Sequence, residues 1–115
     1  MVAVRDWERG YKKELERAYQ ARSERNEGMA RVCARRAAGI LVGEYFHWRG
    51  VFVLSQSAYT RLSLLIDLPG VDEECKEITR HFLIKVNQEH NLPVNTDLLS
   101  DVIWLRDQLG LDSLS

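Results

Sequence analysis

Apolar residues recur along most of the chain at spacings of three, four and seven, the signature of helices buried along one stripe. Val4, Trp7, Tyr11, Leu15, Ala18 and Tyr19 share such a stripe, with Arg9, Lys13 and Glu16 outside it, and predict a first helix. "SERNEG" interrupts it, since Asn26 and Gly28 suit a boundary better than a helix interior. The pattern resumes from Met29 to Trp48, and Gly50 supplies a C-terminal stop. At about 100° per residue, Met29, Cys33, Ala37, Ile40, Leu41 and Trp48 lie on one broad arc that also takes in Ala30, Ala34, Ala38 and Tyr45.

Val51 to Leu54 fit a short extended piece before Ser57 caps a third helix that ends near Ile66. "LPG" is a turn. Asp72 then caps a fourth helix with Glu73 and Glu74 in its first turn, and its stripe runs through Cys75, Ile78, Phe82 and Val86, with the acidic groups suited to the helix dipole. "NLPVN" breaks the chain, Pro93 pushing Leu92 towards an extended conformation. Asn95 or Thr96 caps a last helix through Leu98, Leu99, Val102, Leu105 and Leu109. No stretch alternates as a strand does, and there is no internal repeat. The expected fold is therefore all-α, an antiparallel up-and-down bundle of four to five helices in a single domain over residues 1–115.

A second stripe complicates the long helix. Val32, Gly39, Gly43 and Phe46 fall on the side opposite the main arc, where a simple bundle would show charge. Either the helix is covered on both sides within the fold, or it packs against a second copy. A chain of 115 residues has few spare helices for the covering, which favours a homodimer with these four residues in its interface.

Charge narrows the function classes. With 16 Lys+Arg against 17 Asp+Glu the net charge is -1, so there is no overall basic field of the kind that drives non-specific binding to nucleic acid. The first 50 residues are net basic and the remainder net acidic, an asymmetry that fits antiparallel packing within the bundle, head-to-tail association, or an anionic ligand on the first half. Arg31, Arg35 and Arg49 gather on the flank of the long helix, where arginine stems lie along apolar surface and the guanidinium reaches water. Trp7, Tyr11, Tyr45 and Trp48 fall on core stripes instead of beside these arginines, so nucleic-acid binding lacks the stacking residues it needs. The start of the chain lacks a hydrophobic signal region, and no apolar run approaches the ~20 residues of a membrane helix. A soluble, cytoplasmic protein is expected.

Candidate chemistry is sparse. Cys33 and Cys75 have no metal-ligand spacing and lie on apolar stripes, as buried thiols do. His47, His81 and His90 do not combine with carboxylates at metal-ligand spacing, so neither a metal nor another cofactor is expected. Glu44 falls inside the apolar arc, where an unpaired carboxylate is costly. It is read as lying near the open end of the bundle or as paired with Arg22 or Arg49, with a pocket acid as the alternative.

The order and spacing of "EGMARVCARRAAGILVGEYFHWRG", "SAYTRLSLL" and "ITRHFLIKV" resemble the HEPN superfamily of four-to-five-helix domains. The chain is also similar to small uncharacterised bacterial proteins with an "NEG.ARVCARRAAG" core. HEPN domains are typically homodimers; many are ribonucleases, often paired with a nucleotidyltransferase, and others are non-catalytic modules that bind nucleotides or proteins. Their catalytic motif is an Arg, a polar residue, and a His after a gap of four to six. Arg80 and His81 match its start, but Lys85, Val86 and Asn87 stand where the second His belongs, and His90 is ten residues along, too far along a helix to share the site. Without that imidazole the base and acid for phosphodiester cleavage are missing. The resemblance thus implies a non-catalytic homodimeric binding module, with Arg80, His81 and Asn87 as ligand residues and Ile84 joining the interface. The alternatives are a ribonuclease or nucleotide-binding protein of a toxin–antitoxin-like pair, and a structural docking bundle.

Overall fold

The computed structural model describes residues 6–84 and 97–111. Among them are five helices and no strand: α1 (Asp6–Ser23), α2 (Glu27–Arg49), α3 (Ala58–Asp67), α4 (Glu73–His81) and α5 (Leu98–Gln108). The expected all-helical class is what the described residues adopt.

Local chemistry sets the helix ends. Asn26 caps α2 by accepting from the Met29 N–H, and Gly50 closes it in the left-handed conformation at φ 71°, which costs glycine no Cβ clash. Ser57 accepts from Thr60 and Asp72 from Cys75, the caps anticipated for the third and fourth helices. The last helix starts differently: Asp97 accepts from both Leu99 and Ser100, while Asn95 and Thr96, expected as the cap, lie outside the described residues, as do Val4 and Pro93.

α4 is shorter than its apolar spacing predicts. The N–H groups of Phe82 and Leu83 bond back three residues, to Thr79 and Arg80, tightening and ending the helix. The Phe82 carbonyl accepts instead from Arg35 Nε of α2 at 2.7 Å, a tertiary contact that overrides the pattern of "FLIKV". Ile84 stands beyond the helix, and Val86 lies outside the described residues.

α1 and α2 share the main interface, and α3 and α5 both pack on α2. One hydrophobic cluster links them, including Tyr11, Ala34, Leu41, Leu62, Phe82 and Leu105. The alanines of α2 are at its centre: Ala30, Ala34, Ala37 and Ala38 are fully buried, which lets neighbouring helices approach closely. Three residues depart from the expected stripes. Tyr19 is about half exposed, and Met29 and Trp48 are 46% and 56% exposed; the latter two sit in the terminal turns of α2, where fewer neighbours cover the helix. Trp48 is thus an exposed aromatic near Arg49, contrary to the expectation from periodicity.

The second stripe of α2 is covered by the chain itself. Gly39 lies under the first residue of α3, so close that a Cβ there would be 2.5 Å from the Ala58 Cβ. Gly43 lies under the Arg61 guanidinium, Phe46 is buried and Val32 is half-buried. At Gly39 and Gly43 it is α3 that occupies the place the sequence reading assigned to a second copy, reached through residues 51–57, a connection without regular structure that spends no further helix. Along it Val51 and Val53 are half-buried while Phe52 and Leu54 face outward.

Candidate functional site

The residues expected from the Arg-polar-His pattern do not form one site. Arg80 Nη1 pairs with Glu73 at 3.3 Å and Glu77 at 3.1 Å, both on its own helix and exposed, contacts that hold little energy. Because α4 ends at His81, Ile84 does not share a helical flank with Arg80; it is half-buried beyond the turn. Asn87 lies outside the described residues. His81 has a partner that its sequence neighbours do not reveal: its Nδ1 is 3.1 Å from Asp101 Oδ2 on α5. Burial pushes the Asp101 carboxyl above its ordinary value, against the opposing pull of His81. This pair ties α4 to α5.

The arginines of α2 are likewise committed to structure. Arg35 caps the end of α4 through the Phe82 carbonyl, and Arg36 approaches Glu14 of α1 at 4.0 Å. Arg49 lies 5.5 Å from the Tyr45 ring centroid and donates to the Pro69 carbonyl. Both cysteines are buried and unbonded, and burial raises Cys33 and lifts Cys75 to about 11, so neither is a ready nucleophile. No group of three metal-ligating side chains is assembled among the described residues, and none of their helices is long and apolar enough to cross a membrane.

A different arginine faces a cavity. Ile40, Gly43, Glu44 and His47 form one face of α2 by their spacing of three, four and seven. With Asp6, Trp7 and Gly10 of α1, and with Gln56 and Arg61, they line a cleft of ≈ 550 Å³, within the range of small-molecule sites. Arg61 also borders the two neighbouring hollows, one against Phe52 and Val53 and one against Glu14 and Ala58. Its side chain crosses the stripe of α2 that Gly39 and Gly43 keep low. Arg61 Nε donates to the Ser55 carbonyl at 3.2 Å and Nη1 to the Gly39 carbonyl at 3.4 Å, which fix the fork while leaving Nη2 without a hydrogen bond among the described residues. No carboxylate lies within 4.0 Å of this half-buried guanidinium among those residues, although most other ion pairs here meet that limit easily.

Glu44 is the carboxylate beside it. Its expected partners are taken: Arg22 pairs with Glu27 and Asp97, and Arg49 with Tyr45 and Pro69. Glu44 Oε1 accepts instead from Trp48 Nε1 at 2.8 Å, and Glu44 is among the residues that line the cleft. Trp7 of α1, which also lines the cleft, has an indole N–H buried without an acceptor among the described residues. Sequence reasoning missed Arg61 and Trp7 as site residues. The available signal was the pair of glycines four residues apart, which marks the strip of α2 where another segment approaches closely.

No protein-family model, curated protein or solved structure matches the chain.

Proposed function

We propose that this chain is a HEPN-like binding module of antiparallel up-and-down helices, which holds a small polar ligand in the Arg61 cleft and does no chemistry on it. The observation that supports this is Arg61: a half-buried guanidinium with no carboxylate within ion-pair distance, fixed by two backbone carbonyls at the wall of a cavity. A half-buried cation with hydrogen-bond partners but no counter-charge is only partly compensated, and an anionic group on a bound ligand supplies what is missing.

A library of polar metabolites, screened by amide chemical-shift perturbation on the labelled protein, tests this reading. Ligands that shift Gly43, Glu44 and the Arg61 side-chain signal, and stop doing so in Arg61→Gln, are expected. Perturbations confined to α4 around Arg80, or none anywhere, overturn it.

The ribonuclease alternative draws on one specific contact, the carboxylate that orients His81 next to Arg80, since a positioned imidazole is what acid–base cleavage needs. Metal-independent RNA cleavage abolished by His81→Gln is its test. The homodimer implied by the family resemblance is tested by sedimentation; because Gly39 meets Ala58 and Gly43 meets Arg61 within one chain and Phe46 is buried there, the proposed dimer is placed on another face.

A further inference from the structure

The charges around the Arg61 cleft point to a ligand class. Besides His47, the ionisable lining consists of one cation, Arg61, and two carboxylates, Asp6 and Glu44. Arg61 reaches neither of them: its two hydrogen bonds go to backbone carbonyls, and no ion pair joins it to an acidic side chain among the described residues. The cleft therefore keeps a positive and a negative side apart within one cavity.

A simple anion gains Arg61 there but meets two carboxylates, and a simple cation gains the carboxylates but meets Arg61. A molecule that carries both charges a few bonds apart satisfies both sides. Carboxylate is the geometry that the guanidinium fork accepts best in plane. The third element of the lining is apolar: Ile40 and the Trp7 ring, with Gly10 admitting the Ile40 tip to 3.3 Å of where its Cβ would stand.

Building on the reading of this cleft as the ligand site, we infer that it binds a zwitterion of the α-amino-acid type with an apolar side chain. The ligand's carboxylate lies on Arg61, its ammonium faces Glu44 and Asp6, and its side chain lies against Trp7 and Ile40. Glu44 is held for this by the Trp48 indole N–H on Oε1, which leaves Oε2 for the ammonium. Arg61 is a two-sided clamp, tying residues 55 and 39 together through its inner donors while its outer nitrogen meets the ligand.

Three matched probes test the inference by chemical-shift titration of the full chain: L-phenylalanine, 3-phenylpropionate, which lacks the ammonium, and phenethylamine, which lacks the carboxylate. Phenylalanine is expected to shift Gly43, Glu44 and the Arg61 Nε signal and to bind about tenfold tighter than either half-ligand, a factor within reach of one charged hydrogen bond. Glu44→Gln, which keeps an oxygen for Trp48, should close most of the gap between phenylalanine and 3-phenylpropionate, weakening the first by removing a partner of its ammonium and tightening the second by removing one of the two carboxylates an anion meets. Arg61→Gln should do the same with respect to phenethylamine; because Arg61 also braces the backbone, its melting temperature is measured alongside, and Glu44→Gln decides the matter if Arg61→Gln unfolds. Equal binding of phenylalanine and 3-phenylpropionate at the cleft overturns the zwitterion while leaving the cleft a ligand site. Absence of any phenylalanine shift at millimolar concentration also overturns it, and the cleft itself falls only if the metabolite library is silent there as well.

Discussion

Adding one methyl group to α2 at Gly39 should destabilise the protein, although the same methyl at Gly28 in the same helix should stabilise it. Both changes replace glycine by alanine in a helix, which by propensity alone gains at most about 1 kcal/mol. At Gly28 the new Cβ has only the Asn26 Oδ1 nearby, at 3.9 Å, an ordinary contact, so most of that gain survives. At Gly39 it meets the Ala58 Cβ at 2.5 Å and the Ala58 Cα at 2.7 Å, against normal carbon contacts of about 3.5–4.0 Å. The start of α3 must then retreat by roughly 1 Å to restore those contacts. It is not free to do so, because Ser57 caps it and Arg61 ties it to the Gly39 carbonyl itself. Overpacking of this kind costs about 1–3 kcal/mol, which outweighs the propensity gain and leaves Gly39→Ala net destabilised by about 1 kcal/mol. The two variants should therefore differ by about 2 kcal/mol, or about 8 °C in Tm for a domain of this size. Urea denaturation with unchanged m-values measures the gap. Gly10→Ala, whose Cβ meets only the flexible tip of Ile40 at 3.3 Å, should fall between them. A Gly39→Ala protein as stable as Gly28→Ala would mean that α3 does not seat on this stripe, and would restore it as a surface available to a second copy.

Arg35→Met should destabilise the fold by about 2 kcal/mol in the same assay, the range of a charge-assisted hydrogen bond, since it removes the donor that stops α4 at the Phe82 carbonyl; an unchanged midpoint would show that the helix ends for another reason. Asp97→Asn tests the start of α5. Burial opposes its ionisation, yet the hydrogen bonds from Arg22 and Ser100 outweigh it and hold its folded pKa below the ordinary value. The stability it contributes is thus fully present above its unfolded pKa of about 3.9 and is lost as pH falls through the lower folded value. The difference between wild type and Asp97→Asn should be level near neutrality, no more than about 1 kcal/mol for so exposed a pair, and shrink towards zero in acid; a difference that grows in acid reverses the assigned sign. Finally, with Cys75 lifted to about 11 and Cys33 also raised, neither thiol should react with a disulfide reagent at mildly alkaline pH until denaturant is added, and one fast equivalent in the native protein would contradict the burial of that cysteine.

Helix positions were legible because they rest on local chemistry. The Asn26, Ser57 and Asp72 caps and the Gly50 stop each need only their own neighbours, and the apolar spacing of α5 puts Leu98, Leu99, Val102 and Leu105 in the core as periodicity requires. What failed was whatever a distant residue decides. The spacing of Ile78, Phe82 and Val86 favours a helix that continues past His81, but Arg35, 47 residues away, claims the Phe82 carbonyl. His81 and Asp101 are 20 residues apart, and no spacing rule links them.

The Arg61 cleft illustrates the same limit at the level of function. Gly39 and Gly43 interrupt an otherwise apolar stripe, and from sequence a low, uncharged strip on a helix has two physical meanings: room for another helix, or room for a side chain. The first leads to a second copy; the second requires knowing that residues 51–57 swing α3 across this face. Once they do, Gly39 receives the Ala58 backbone and Gly43 the Arg61 guanidinium, and the glycines acquire unlike tasks, one seating a helix and the other lowering the floor beneath a cation. Gly43→Ala separates them: its Cβ collides with the guanidinium, which must swing aside and give up its bonds to Ser55 and Gly39, but the helix-propensity gain of about 1 kcal/mol offsets much of that loss, so stability should change little while the Arg61 Nε signal shifts and any cleft ligand is lost. The binding and the packing roles of one stripe can in this way be read independently.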